Sequence, residues 1–141
     1  MLRVVTDPTQ IDLRLAHRWI ASSYWSTNIP WERFERACAK SLVYAAFDGD
    51  EQVGFSRVVT DCVTFAWLCD VFVAEHARRR GVGQQLMQAI TADRRLEGLR
   101  QFMLSTRDAH GLYARFGFEP VGEPHGRYMR IVRSPAEVYG S

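Results

Sequence analysis

The spacing of apolar residues changes several times along the chain, and each change marks an element. Leu2 to Thr6 reads as a first strand. Asp7 or Thr9 can then cap a helix from about Gln10 to Ser22, which places Ile11, Leu15, Trp19 and Ile20 near one face. Ser23 to Pro30 breaks that pattern, and Pro30 suits the first turn of a second helix carrying Trp31, Phe34 and Cys38 and ending near Lys40. The period then shortens. Ser41 to Phe47 and Gln52 to Thr60 read as strands around the turn Asp48-Gly49-Asp50, with Gly54 at a suspected bulge. After a break at Asp61-Cys62, Val63 to Val73 forms a long apolar strand. A helix from Val82 to Arg95 follows, with Val82, Leu86 and Ile90 at spacing four. Arg100 to Ser105 is a further strand, and Ala109 to Phe116 a short helix stopped by Gly117. Phe118 to Val121 and Tyr128 to Val132 read as two closing strands around Gly122-Glu123-Pro124-His125-Gly126. This order predicts an α+β fold, with antiparallel strands early and a β-α-β unit in the middle.

The bulk composition keeps that picture to one domain spanning residues 1–141, long enough to bury a core without staples. A hydrophobic share of 47% with 24% charged residues is ordinary for a globular chain. A formal charge of +2 gives no argument for nucleic acid or membrane as a partner. Lys40 is the only lysine, so the basic side chains are almost all arginine, whose planar fork suits phosphate. Cys38, Cys62 and Cys69 are odd in number and lack CxxC spacing, which fits packed, reduced thiols in the cytoplasm. No stretch approaches bilayer length, and the first residues lack the layout of a signal peptide. No metal site is expected.

The chemistry concentrates where Asp70-Val71-Phe72-Val73 leads into Arg78-Arg79-Arg80-Gly81-Val82-Gly83-Gln84 at the mouth of a helix. Amides at a helix start lack partners and form an anion site. Gly81 and Gly83 allow close backbone approach and positive φ, while the arginines add positive charge. A glycine pair near a helix start and a solvated arginine run are both common features, so phosphate binding stays one of two readings at this level. No Lys-Ser or Lys-Thr follows the glycines, which excludes a P-loop, and the last glycine of GxGxxG is missing.

Leu68 through Met87 resembles the acetyl-CoA motif of the GNAT N-acetyltransferases, whose signature (Arg/Gln)-x-x-Gly-x-(Gly/Ala) follows a strand. The segment Ala109-His110-Gly111-Leu112-Tyr113-Ala114-Arg115-Phe116-Gly117-Phe118 resembles that family's Ala-x-x-x-Tyr-x-x-x-Gly-Phe stretch. Both occur in the family's order and separation. The resemblance implies a central mixed, mostly antiparallel sheet flanked by about four helices. It also implies acetyl-CoA as co-substrate, with its pantetheine along Val71, Phe72 and Val73 and its pyrophosphate on the amides from Arg79 to Gln84. One β-strand amide would then stabilise the oxyanion. The family commonly has Asn seven residues before the tyrosine; here Thr106 stands there, with a shorter reach.

By the same resemblance Tyr113 is the candidate acid for the departing thiolate. Asp70 is a candidate base if burial raises its pKa, or equally a structural partner of a group such as Arg57. Asp61, His110 and a water chain stay open as further bases. The family's acceptor side lies between the first two helices, where Tyr24, Trp25, Ile29 and Trp31 are conspicuously aromatic or apolar for a loop. Tyr24 and Trp25, joined by Phe65 and Trp67, are read as a wall for an amine, and Trp31 as packing. The expected function is acetyl transfer to a primary amine of a small molecule. The alternatives are acetylation of a protein or peptide amine and a non-catalytic acyl-CoA-binding module. A homodimer is compatible with either.

Overall fold

The computed structural model describes residues 1–122 and 127–140. Five strands lie side by side in chain order: β1 (Leu2–Val5), β2 (Leu42–Asp48), β3 (Glu51–Thr60), β4 (Phe65–Val73) and β5 (Gln101–Leu104). The first three junctions are antiparallel, and β4–β5 is parallel. The parallel step needs a crossover, which is supplied by α3 (Val82–Thr91). Helices α1 (Leu13–Ala21) and α2 (Trp31–Ala39) precede the long strands, and α4 (His110–Ala114) and α5 (Pro135–Tyr139) follow them.

Two apolar layers sandwich the sheet, and β2 shows why. Its residues alternate with the pleat, so Tyr44 and Ala46 join the α3 core while Val43 and Ala45 join the α1–α2 core. On the α3 side, Val82, Leu86, Met87 and Ile90 are buried against Val58 and Leu68. On the other side, Ala16 and Ile20 of α1 and Phe34 and Cys38 of α2 close over Phe55. Each fully buried Ile, Leu or Phe contributes about 1.5–3 kcal/mol relative to exposure.

Local capping moves several boundaries from the expected ones. Asp7 caps a short 3-10 turn at Pro8–Gln10, while Asp12 accepts from Leu15 N at 3.0 Å and starts α1. Helix α3 stops at Thr91 rather than Arg95. Asp93 takes Tyr44's hydroxyl at 2.7 Å and the Arg95 amide at 2.9 Å, which seeds a second 3-10 turn at Arg94–Leu96. Strand β4 starts at Phe65 because Asp61 folds the preceding residues into a turn, accepting from Val63 N and Thr64 N at 2.9 and 2.7 Å.

The two expected closing strands do not form. Residues 118–121 and 128–132 are irregular, and of the turn expected at 122–126 residues 123–126 lie outside the described residues. Met129, Ile131 and Val132 are largely exposed, so the apolar alternation there has no sheet to face. Helix α5 was not expected. It is set by Ser134 and Glu137, which form a capping box, with Pro135 at its first turn.

Two register shifts matter for the site. Ala46 pairs with Gly54 but Phe47 with Gln52, so Val53 is the extra residue, next to the glycine expected at a bulge. Gly54 serves α3 instead: a Cβ there would meet Val82 Cγ1 at 2.8 Å. The second shift lies on β4. Phe55 pairs with Phe72 but Arg57 with Cys69, so Asp70 and Val71 together oppose Ser56.

Gly54→Ala is expected to destabilise the fold by about 1–3 kcal/mol, because Val82 is held on a packed helix and has nowhere to yield. Thermal unfolding measures this; an unchanged midpoint would show that α3 can shift freely.

Candidate active site

The bulge on β4 opens the sheet. Asp70 has a φ of 55°, a left-handed conformation that aspartate tolerates better than most residues. Pairing between β4 and β5 runs from Phe65–Gln101 to Leu68–Leu104 and ends there. Beyond Leu68 the two strands have no ladder between them, and a cleft of about 430 Å³ occupies the divergence. Its β4 wall includes Cys69, Asp70 and Val71, and its β5 wall Leu104, Ser105 and Thr106, with Tyr113 alongside. A larger cavity of about 900 Å³ follows the outer side of β5 and shares Tyr113 and Thr106. It lacks the bulge and the aromatic loop, so the chemistry is assigned to the smaller cleft.

Asp70 is 6% exposed, and each of its carboxylate oxygens holds a hydrogen bond. Oδ1 accepts from Trp25 Nε1 at 3.0 Å, and Oδ2 from Arg57 Nε at 2.9 Å. Arg57 also donates from Nη1 to Ser41 Oγ at 3.1 Å. Of the two roles open for Asp70, this geometry favours the structural partner: deleting one member of such a buried pair strands the other charge at a cost of about 3–5 kcal/mol. Asp61 is a turn residue outside the cleft, its carboxyl held well below the usual range by hydrogen bonds from Thr64, Val63 and Phe65. His110 is exposed at the first turn of α4 and lines only the larger cavity. Asp108, which no motif singles out, lies on the lining of the cleft.

Tyr113 is buried, and its phenol is pushed up to about 12 by that burial, with smaller contributions from Tyr24 and Asp108. It therefore stays protonated throughout the neutral range. Cys69 and Cys38 are also pushed up to about 12, chiefly by burial, so the thiol on the cleft wall is neutral and a poor nucleophile. Thr106 Oγ1 accepts from Ala109 N at 3.0 Å, which leaves its hydroxyl proton free to be donated into the cleft it lines.

From the cleft, Val71, Phe72 and Val73 lead through a 3-10 turn at Glu75–Ala77 to the start of α3. Phe72 stacks on Trp19 at 5.5 Å, so only its backbone can serve a ligand in the cleft. Arg79 and Gly81 both take positive φ, 66° and 82°. No side chain caps α3, and Gln85 supplies the amide bonded to Gly81 O, so the amides of Val82, Gly83 and Gln84 precede the helical ladder. A Cβ on Gly81 would meet nothing within 4 Å, which leaves the turn open to a bulky anion. The arginines divide their duties. Arg78 Nε donates to Val73 O at 3.1 Å, and Arg80 pairs with Asp48 at 3.0 Å. Arg79 makes no ion pair among the described residues.

Tyr24, Trp25 and Trp67 line the cleft, joined by Val59. Phe65 does not; it sits at the start of β4, two pleats before the bulge. Trp31 packs on His17 and Phe34 and carries Arg14 over its ring at 3.9 Å, a packing role as expected. Among the described residues no group of three His, Cys, Asp or Glu side chains could hold a metal ion. No helix among them is long and apolar enough to cross a membrane.

The profile of the acetyltransferase (GNAT) domain matches residues 39–120, more than half of the chain. The chain belongs to the GNAT family. A structure from Xanthomonas campestris pv. campestris assigned to the GNAT acetyltransferases is 43% identical, covers 94% of each chain and superposes with a TM-score of 0.88. A Gibberella zeae protein named as an acetyltransferase is 25% identical over 79% of this chain and 75% of its own. The ribosomal-protein-S18-alanine N-acetyltransferase of Escherichia coli is 20% identical with a TM-score of 0.66, covering 84% of this chain and 78% of its own, a likeness of fold alone. The GNAT match contains the bulge, the turn and Tyr113 but not the loop with Tyr24 and Trp25.

Alkylation provides a check on the thiols. Iodoacetamide at pH 8 is expected to label Cys62, which is exposed, and to spare Cys38 and Cys69 in the folded GNAT domain. Mass spectrometry reads the sites; rapid labelling of Cys69 would contradict its neutral, half-buried state.

Proposed function

We propose that this chain moves an acetyl group from acetyl-CoA to a primary amine of a small molecule, by direct attack in a ternary complex. The observation that carries the reading is the split at the β4 bulge, which opens a cleft beside the Tyr113 phenol and leads along a bare strand edge to an uncapped helix start. Acetyl-CoA supplies an activated thioester and a pyrophosphate. The residues present fit it: the amides of Val82, Gly83 and Gln84, with Arg79 beside them, suit the pyrophosphate. The backbone of Val71 and Val73 suits an extended amide-bearing arm, and Thr106 retains a donor for it.

The acceptor's nitrogen attacks the thioester carbonyl, the carbon–sulfur bond breaks, and the ammonium proton is lost. Asp70 already holds Trp25 and Arg57, and we assign the proton to water at the mouth near Asp108. The Val71 amide, past the last β4–β5 pair, would stabilise the oxyanion in this reading. Tyr113 donates a hydrogen bond to the leaving sulfur. Its pKa of about 12 lies above the roughly 8.5 of an ordinary thiol, so it solvates a thiolate rather than delivering its proton outright. The neutral Cys69 supports direct transfer over an acyl-cysteine route. A cleft of about 430 Å³ is of small-ligand scale, which favours a small amine over a protein tail.

Tyr113→Phe is expected to lower turnover about 10–100-fold, the worth of one hydrogen bond to a charged group, with CoA affinity nearly unchanged. Thiol release from acetyl-CoA measures it across a panel of small amines and peptides. Equal turnover would remove Tyr113 from the mechanism, and no acceptor-dependent release would favour a non-catalytic acyl-CoA-binding module.

Because burial raises the phenol, the Tyr113-dependent part of the rate is present at and below pH 10 and lost only as pH rises toward 12. A wild-type pH–rate limb centred near 10 and absent in Tyr113→Phe would contradict this.

Gly81→Val should weaken CoA binding about tenfold, since a β-branched residue at a φ of 82° costs about 1–2 kcal/mol. Calorimetric titration with CoA tests it; unaltered affinity would argue against the turn as the pyrophosphate site.

A further inference from the structure

Two contacts tie the loop between α1 and α2 to opposite arms of the split sheet. On the β4 arm, Trp25 Nε1 donates to Asp70 Oδ1 at 3.0 Å. On the other side, in the segment that leaves β5 for α4, the Arg107 guanidinium lies 3.8 Å from the centre of the Tyr24 ring. Tyr24 and Trp25 meet edge to face at 5.1 Å, so the pair reaches from one arm to the other without a gap. The loop is braced from within. Ser23 Oγ donates to Ile20 O at 2.6 Å and accepts from Ser26 N at 3.2 Å, and Asn28 N donates to Ala21 O at 2.8 Å. Both aromatics line the cleft yet remain 55% and 43% exposed, as a span with one side on the cleft and the other in water would be.

We infer that Tyr24 and Trp25 form a latched roof that selects the acceptor, with Asp70 and Arg107 as its positioning residues. The inference rests on the proposed acetyl transfer for the meaning of the cleft. Under the roof the remaining walls include Val59 and Trp67, which offer flat apolar surface. Arg57 and Asp70 neutralise each other there, so the interior calls for no charged tail. Asp108 places negative charge on the lining for an ammonium head. The acceptor class that fits is an arylalkyl primary amine. A peptide amine would carry polar backbone under an apolar roof and leave it unpaired.

The test uses the full chain with CoA bound. Replacing Asp70 would strand Arg57 and endanger folding, so the variants are Trp25→Phe, which keeps a ring but loses the N–H donor, and Arg107→Gln. Phenylethylamine, ethylamine and an alanine-led tetrapeptide amide are titrated by calorimetry, and amide hydrogen exchange is followed at residues 24–28. Wild type should bind phenylethylamine at least about tenfold more tightly than either rival, the order expected for burying an aromatic group. Each variant should speed exchange in the loop by about three- to tenfold and shrink the preference below about threefold, while CoA affinity holds within about twofold.

Unchanged exchange in both variants would overturn the latch. Faster exchange with an intact preference would overturn its role in selection, as would equal binding of the tetrapeptide or no amine binding in wild type. Selective amine binding without thiol release would remove the proposed reaction and leave the roof standing.

Discussion

Much of this molecule follows from one extra residue on β4. With Asp70 and Val71 opposing Ser56 alone, the strand bends and its ladder to β5 ends at Leu68. A straight, fully paired sheet would have no gap between β4 and β5, and a buried backbone edge would be costly to leave unpaired. The divergence resolves this by exposing the β4 edge to a cleft where a ligand's own amides can complete the pairing. The bulge is held in its left-handed conformation by two hydrogen bonds to the Asp70 carboxylate, from α1–α2 and from β3. The same carboxylate therefore anchors the loop that carries Tyr24 and Trp25.

Charge is allotted by position more than by number. Of the arginine run before α3, Arg80 is neutralised by Asp48 and Arg78 turns back to a carbonyl of β4, which leaves Arg79 beside the open amides. The proposed anion site is thus mainly backbone, where partial charges are fixed by the helix and cost no side-chain ordering. In the cleft, burial does the corresponding work on neutral groups. It keeps Tyr113 a phenol that can donate a hydrogen bond and Cys69 a thiol that is a poor nucleophile.

The apolar alternation at residues 118–121 and 128–132 led to two strands that the structure does not contain. Alternation records what a segment could bury and says nothing about whether a sheet edge lies in register beside it. Helix lengths erred for a related reason. Leu86 and Ile90 set the face of α3, but its end was decided by Tyr44 on a distant strand bonding Asp93. Phe65 and Trp67 share a face of β4, yet Trp67 alone reaches the cleft, because where along the strand the opening occurs depends on the bulge. Asp108 has no motif around it and enters the site only through the path of the chain after β5.

What the sequence determined by itself was local and periodic: the order of strands and helices up to α4, the glycine-bearing turn at the head of α3, and the tyrosine on the short helix that follows β5. These depend on residue spacing, on capping and on backbone freedom, all of which act over a few residues. What only the tertiary structure decided was the use made of Asp70. Whether that carboxylate is a free base or a latch depends on Trp25, 45 residues earlier, and Arg57, 13 residues earlier, arriving at its two oxygens. Contacts at such separations are set by how the layers pack, and no local pattern around Asp70 encodes them.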